Sequence, residues 1–550
     1  MQRIFFRMQF LIALLVYACG QPGGPGPEVR FTDVTREAGL DFVHYTGATG
    51  EYYYPETYGS GAGFIDVDGD GWMDIYLVNG APFTAGADSA AAPVNRLYRN
   101  NGDGTFTDIT TASGAGDTGY GMGCAAGDYN NNGHQDLYIA NFGPNAMLRN
   151  EGNGTFTDVT AQLGVGDGRW ASSCGFLDYN RNGKLDLFVV NYVEYSLDAN
   201  PVCQKGNLRS YCDPDVFVPI GDVLYRNEGD RFVDVTAEAG LHLVGRGLGV
   251  VFFDYNENGY TDIYVANDGT KNFLYENLGG RFQDRGLQSG TRFNMEGRAE
   301  AGMGVDFGDF ANDGLYDIVV GNFAYETTTL YQNTGGGHFV DASERTGVGA
   351  STFMPLTFGV KCIDYDNDGF LDILATNGHV LDNIELVDPA HTYAQSSQML
   401  RNLAGQRFED VSSLLGPDFT EPIVARGTAV GDFDNDGDID VLINTTGGSP
   451  RLLRNDGGNQ QQWLIVDLAG TRPRDALGTR VAVTAGGMTQ RRQRQSGGSY
   501  LATHDPRLHF GLGDATAADV EIVWPDASVQ RFVNVKANRT LRVVQHAGPE

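Results

Sequence analysis

The sequence predicts an all-β fold, a seven-bladed β-propeller followed by a small all-β domain. Three observations predict it. A nine-residue acidic motif with Gly at its sixth position occurs seven times between apolar runs. A short strand pattern ending in Asn follows each copy, and a fourth strand of the form F-x-D also occurs seven times, in shifted register. Repeats of roughly 40 to 50 residues with four short strands apiece are the signature of propeller blades.

The first acidic motif, DVDGDGWMD from Asp66, places four carboxylates within nine residues. At about 4 Å and an effective dielectric near 20, each like-charged pair costs roughly 4 kcal/mol, so the loop calls for a cation. Oxygen ligands at alternate positions, with a Gly to turn the chain, suit Ca²⁺. The side chains of Asp66, Asp68, Asp70 and Asp74 and the carbonyl of Trp72 are the candidate ligands. An EF-hand would need a bidentate Glu at the twelfth position. Here that residue is Leu77, inside an apolar run, so the loop joins two strands.

The same register gives Asp128, Asn130, Asn132, His134 and Asp136 in the second loop, the histidine through its carbonyl alone. The third has Asp178, Asn180, Asn182, Lys184 and Asp186, and the fourth Asp254, Asn256, Asn258, Tyr260 and Asp262. The fifth offers Asp309, Asp313, Leu315 and Asp317 but has Ala311 at its third position. The sixth has Asp364, Asp366, Asp368, Phe370 and Asp372, and the seventh Asp432, Asp434, Asp436, Asp438 and Asp440. Up to seven Ca²⁺ are expected, in a graded series, because ligand charge helps set affinity. The fifth site is the weakest by ligand count. Weak sites fill where calcium is millimolar, outside the cytosol.

Each loop runs into a strand such as DIYLVN, then a segment such as NRLYRNNGDGTFTDIT, two short strands about an Asn/Gly turn. The fourth strand begins at Phe106, Phe156, Phe232, Phe282, Phe339 and Phe408 in blades one to six. Blade seven lacks one, and FTDVT at Phe31–Thr35 is expected to supply it from the other end of the chain. Such closure removes two open sheet edges. The acidic loops then share one face. The insertions at 80–94, 192–221 and 378–397 and the link 285–302 fall on the other, where a partner is expected to bind.

The formal charge is -32, and residues 458–550 carry about +3 of it, which leaves about -35 on the propeller side. Such acidity excludes a nucleic-acid partner, which needs a basic footprint. The opening MQRIFFRMQFLIALLVYACGQPGG has two Arg before a short apolar run and reads as a signal peptide over residues 1–18. LVYAC resembles a bacterial lipoprotein box with Cys19 as the lipidated residue, and 19–28 reads as a flexible tether. The propeller is assigned to 29–457 and the second domain to 458–550. The expected location is the bacterial cell envelope, with membrane contact through the N-terminal lipid alone. Cys203 and Cys212 share an insertion and are expected to pair in an oxidising compartment. Cys362 is expected to be a buried thiol.

The repeats resemble calcium blades of the FG-GAP or VCBS type, and the whole chain resembles the cartilage acidic protein family. WLIVDLAG, LGTRVAV, SGGSYLATHDPRLHFGLG and VEIVWPDASVQ, from Trp463, Leu477, Ser496 and Val520, are similar to an ASPIC/UnbV domain, with WPDA where WPSG is usual. The resemblance implies secreted calcium binders associated with matrix or receptor interaction. Some bacterial members occur in natural-product pathways, enediynes among them.

No catalytic arrangement stands out. GAGDTG at 114–119 links two blades and opens no helix. His379, in NGHV on the insertion face, is the one histidine singled out; a structural hydrogen-bonding role is the leading reading and a functional one the alternative. Asn79, Asn141, Asn191, Asn267, Asn322 and Asn377 end second strands and would line the channel mouth or close turns. QRRQRQ at 490–495 reads as a solvated basic strand, with contact to an acidic glycan or to the propeller as the alternative. The leading expectation is a lipid-tethered calcium propeller that binds a surface protein or glycan. The alternatives are an enzyme of natural-product metabolism working at the insertion face, and a passive envelope calcium binder.

Overall fold

Each acidic motif reverses the chain because its fourth and sixth residues adopt left-handed backbone. Asn131 (φ 57°) and Gly133 (φ 96°) do so in the second loop, and Asn367 (φ 55°) and Gly369 (φ 92°) in the sixth. Asn and Gly tolerate that region better than other residues. The flanking strands therefore return antiparallel, as Ala62–Ile65 does against Asp74–Leu77. The structure, a computed structural model, describes residues 28–83 and 93–546. The expected signal peptide, Cys19 and the middle of the 80–94 insertion lie outside the described residues.

Seven four-stranded antiparallel units follow one another along the chain. The strand Arg30–Asp33 pairs with Arg451–Asp456 of the last unit, Phe31 opposite Asn455. The ring is thus closed by its own N-terminus, and Phe31 is 2% exposed. Apolar clusters fill the space between consecutive blades, as Val251, Tyr264, Phe307 and Ile318 do between blades four and five. The innermost strands crowd at the axis. A Cβ on Gly304 would lie 2.2 Å from the Phe358 carbonyl oxygen, so this position admits no side chain.

Beyond the ring, two further sheets form. One orders Leu508–Gly513, Gln462–Ala469 and Arg539–Val544, and the other Met488–Gln493, Arg480–Ala485, Ala517–Val523 and Val529–Lys536. They enclose Val481, Phe510, Ile522 and Trp524. The connection between Gln493 and Leu508 enters the central channel. Ser496 accepts from the Phe176 N–H at 3.1 Å, and the Gly498 N–H donates to Val250 at 3.1 Å. Ser499 exchanges two backbone bonds with Val305, and the Asp505 N–H donates to Val430 at 3.1 Å. Ala502–Thr503 lies parallel to Ala62–Gly63. Tyr500 is fully buried and its hydroxyl donates to the Tyr58 carbonyl at 2.9 Å. Tyr58 belongs to a segment that reaches the channel from the opposite side. The channel is a filled core, not a pore.

Two expectations need correction. QRRQRQ follows the alternative, contact with the propeller: Gln490, Gln493 and Arg494 are buried, and the exposed Arg491 donates to the Gly314 carbonyl of the fifth acidic loop at 3.1 Å. The acidic face draws the basic strand onto itself. Cys362 is half-buried, because its strand end borders a crevice of about 140 Å³ between the propeller and the second domain. Cys203 and Cys212 are joined in a disulfide, with Cα atoms 5.1 Å apart.

Candidate metal centres and the face opposite them

Within each loop the carboxylates first organise their own backbone. Asp66 accepts from the N–H groups of Gly69, Asp70 and Gly71 at 2.8, 3.1 and 3.0 Å. Asp128, Asp178, Asp309 and Asp432 repeat the pattern onto the fifth and sixth residues. The fifth side chain accepts the seventh N–H: Trp72 onto Asp70, His134 onto Asn132, Lys184 onto Asn182 and Tyr260 onto Asn258. Leu315 onto Asp313, Phe370 onto Asp368 and Asp438 onto Asp436 complete the set. At the third position, Asn130, Asn180 and Asn256 accept from the fifth N–H.

The ninth aspartate is the most deeply set. One oxygen of Asp74, Asp136, Asp262, Asp372 and Asp440 accepts from the second residue of its loop. The other accepts the N–H of the Asn that ends the third strand, and all seven blades do this. The pairs are Asp74–Asn100, Asp136–Asn150, Asp186–Asn227, Asp262–Asn277, Asp317–Asn333, Asp372–Asn402 and Asp440–Asn455. Each of these Asn side chains then donates to the second-position carbonyl of the preceding blade. Asn150 reaches Val67, Asn227 Tyr129, Asn277 Tyr179, Asn333 Tyr255, Asn402 Phe310 and Asn455 Tyr365. Asn100 closes the circuit on Phe433 of blade seven. Sequence reading noted these asparagines as strand ends and missed this role. Their recurrence at one register was the available signal.

Oxygens remain that no hydrogen bond satisfies. Asp186 Oδ2, Asp254 Oδ1, Asp364 Oδ1, Asp366 Oδ1 and Asp434 Oδ1 are buried without a partner. Asp66, Asp68 and Asp70 bring carboxylate oxygens within 4.8 Å of one another, as do Asp364, Asp366 and Asp372, and Asp432, Asp434 and Asp440. Burial pushes Asp74, Asp136 and Asp432 up to about 8, and Asp366 and Asp434 to about 6. An all-oxygen donor set with unsatisfied buried carboxylate atoms fits a hard divalent cation. The sixth loop already holds one positive group, the Arg401 guanidinium, 2.8 Å from Asp366 and 3.3 Å from Asp368. In the fifth loop Ala311 abuts Gly405 of blade six, whose added Cβ would lie 2.8 Å from the Ala311 Cα. The missing ligand there accompanies a close backbone approach.

The second domain covers these loops. Arg507 donates to the Asp432 carbonyl at 2.7 Å, and the Asp128 N–H donates to Asp475 at 2.6 Å. The Arg474 N–H reaches Asn131 at 3.0 Å, and Arg480 lies 3.4 Å from Asp254.

On the opposite face, the insertions 192–221 and 378–397 meet a segment around residue 54. Asn383 donates to the Arg209 carbonyl at 2.9 Å, and Tyr211 to Glu56 at 2.6 Å. His379 is 2% exposed; its Nδ1 accepts from the Leu381 N–H at 3.0 Å, and burial lowers its basicity to about 4. The wholly buried Arg426 ties this face together through the carbonyls of Thr57, Gly378, Ala425 and His379. The second-strand asparagines close turns: Asn79 donates to Val94, Asn141 to Pro144, Asn191 to Gly221, Asn267 to Lys271, Asn322 to Thr327 and Asn377 to Ser396.

The FG-GAP-like repeat family matches residues 66–139, 128–189, 254–320 and 309–375, and the ASPIC and UnbV family matches 470–550. Cartilage acidic protein 1 of Mus musculus is 30% identical over 306 residues, 54% of this chain and 44% of that protein. The Homo sapiens protein is 29% identical over 309 residues, with shares of 54% and 43%. The chain thus spans less than half the length of these relatives. Among solved structures, an Agrocybe aegerita lectin that recognises non-reducing terminal N-acetylglucosamine is 18% identical. It aligns over 66% of this chain and 82% of its own, with a TM-score of 0.39. The Dos1 propeller is 11% identical over 72% and 93%, with a TM-score of 0.34.

Asn277→Ala should lower stability by roughly 3 kcal/mol, since it strands the Tyr179 and Thr261 carbonyls. Thermal melts against the exposed control Gln283→Ala check this, and equal melting would refute the cross-link. A second expectation concerns the metal-stripped protein. Asp74, Asp136 and Asp432 hold protons in the folded chain that an unfolded chain releases near pH 4, so stability falls as pH rises from about 4 to about 8. Its melting temperature should be higher at about pH 5.5 than at about pH 8; a flat or reversed profile counts against it.

Proposed function

We propose that this FG-GAP-repeat propeller with an ASPIC and UnbV domain is an exported, lipid-anchored calcium protein that recognises a partner at the cell surface. The observation that carries the reading is the set of buried, unsatisfied carboxylate oxygens converging in the acidic loops. In this reading calcium is structural. Its loops lie beneath the second domain, away from solvent-facing insertions, so the ion would brace the scaffold and leave contact to the other face. Exposed apolar side chains on that face, such as Tyr325 at 50% and Leu386 at 72%, support recognition there. Among the described residues no helix is long and apolar enough to cross a membrane, which agrees with attachment through Cys19.

Elemental analysis after dialysis against calcium should return several equivalents per chain. Chelation with EGTA should then lower the melting temperature by about 10 °C or more, because an ion bound only by the folded state stabilises it by mass action. A metal-free chain that melts unchanged would end the reading. Independently, Cys19→Ala should release the protein from the membrane fraction; retention there would mean that another anchor exists.

A further inference from the structure

The insertion face carries a cavity of about 380 Å³, roofed by the 192–221 and 378–397 insertions. Its floor is apolar: Met303, Phe358 and Ala324 are all buried, and Tyr58 closes one side. That size and lining suit one small organic molecule.

The polar groups around it are unbalanced. Asp213, Asp215, Asp268, Glu326 and Asp388 contribute to the wall, against a single lysine, Lys205. Lys205 is already paired with Asp213 at 2.6 Å, and the neighbouring Arg246 pairs with Asp215 at 3.0 Å. Asp268 and Glu326 form no ion pair. Asp268 is 5% exposed and accepts from Tyr192, whose hydroxyl joins those of Tyr54 and Tyr58 in a triangle with edges of 2.8, 2.9 and 2.9 Å. Glu326 accepts from the Ala301 N–H at 2.8 Å. Burial raises it to about 7, and repulsion from Glu300 and Asp268 adds to the rise. Two carboxyl groups that repel one another thus border an aromatic-lined cavity, and the cation that acts on Asp268, Arg246, is itself engaged by Asp215. One donor is also spare. His379 uses Nδ1 as an acceptor, which leaves the proton on Nε2, and Nε2 has no hydrogen-bond partner among the described residues.

We propose that this cavity binds a small amphipathic amine. Its ammonium group would face Asp268 and Glu326, its apolar body would cover Met303 and Phe358, and an oxygen acceptor on it would take the His379 Nε2–H. Aromatic faces and carboxylates together favour an organic cation over a neutral or anionic molecule of the same shape. The inference does not depend on calcium, and it adds a small-molecule site to the surface-recognition role.

The test uses the full chain in calcium-containing buffer and three probes of one size: phenethylamine, 2-phenylethanol and phenylacetate. Titration calorimetry should show the amine binding about tenfold more tightly than the alcohol, and the acid more weakly still. Glu326→Gln keeps an acceptor for Ala301 and should reduce amine affinity about tenfold while leaving the alcohol unchanged. Asp268→Asn should do the same, and Glu326→Gln carries the test should the tyrosine network fail to fold around that change. Equal binding of amine and alcohol, no binding of the amine at millimolar concentration, or full affinity in the folded Glu326→Gln protein would each overturn the proposal.

Discussion

The hydrogen bonds of seven equivalent asparagines hold this architecture together. Each takes its orientation from the ninth aspartate of its own loop and passes it to the preceding blade through a carbonyl. Its side-chain oxygen is also used, accepting a glycine N–H just beyond the strand, as Asn277 does from Gly280 at 2.8 Å. Loop conformation, strand end and blade junction therefore form one cooperative unit. A buried amide in such a position stabilises only when every group is paired. Any change that moves the ninth carboxylate moves the seam between two blades.

The second constraint is electrostatic. A face lined by seven acidic loops would repel itself if left open, and here it is sealed by the domain that is richer in arginine for its length. Arg507, which forms a 2.6 Å ion pair with Asp505, also reaches the seventh loop, and Arg491 reaches the fifth. The contacts run to backbone carbonyls as often as to carboxylates, so the loops keep their acidic oxygens for another use. The division of labour between the faces follows: one is consumed by intramolecular packing, and the other keeps its insertions in solvent.

Much of this was legible in the sequence because it repeats. The spacing of carboxylates, the sixth-position glycine and the displaced F-x-D strand at Phe31 each encode a local geometry, and recurrence turned weak signals into a fold. What escaped was non-local. Nothing in YYYPETY announces that Tyr54 and Tyr58 reach the channel beside the insertions, because no periodicity links them to Tyr192 or Tyr500. Arg426 reads as an ordinary strand residue, and only the assembled ring shows its guanidinium 3.8 Å above the Phe358 ring. The basic stretch at 490–495 reads first as solvated, and its contact with the propeller stays the second choice, for the same reason. Its partner is a surface built from loops hundreds of residues away.

The route of the chain also constrains when the ring can close. The strand at Arg30–Asp33 is made early yet waits for Arg451–Asp456, so the toroid stays open until nearly the whole propeller has been synthesised. The stretch around Tyr500 comes later still and bonds to inner strands from several blades at once. In chain order the peg therefore follows the hub that it fills. The spokes are tied from within by a stretch that lies beyond all seven of them in the chain.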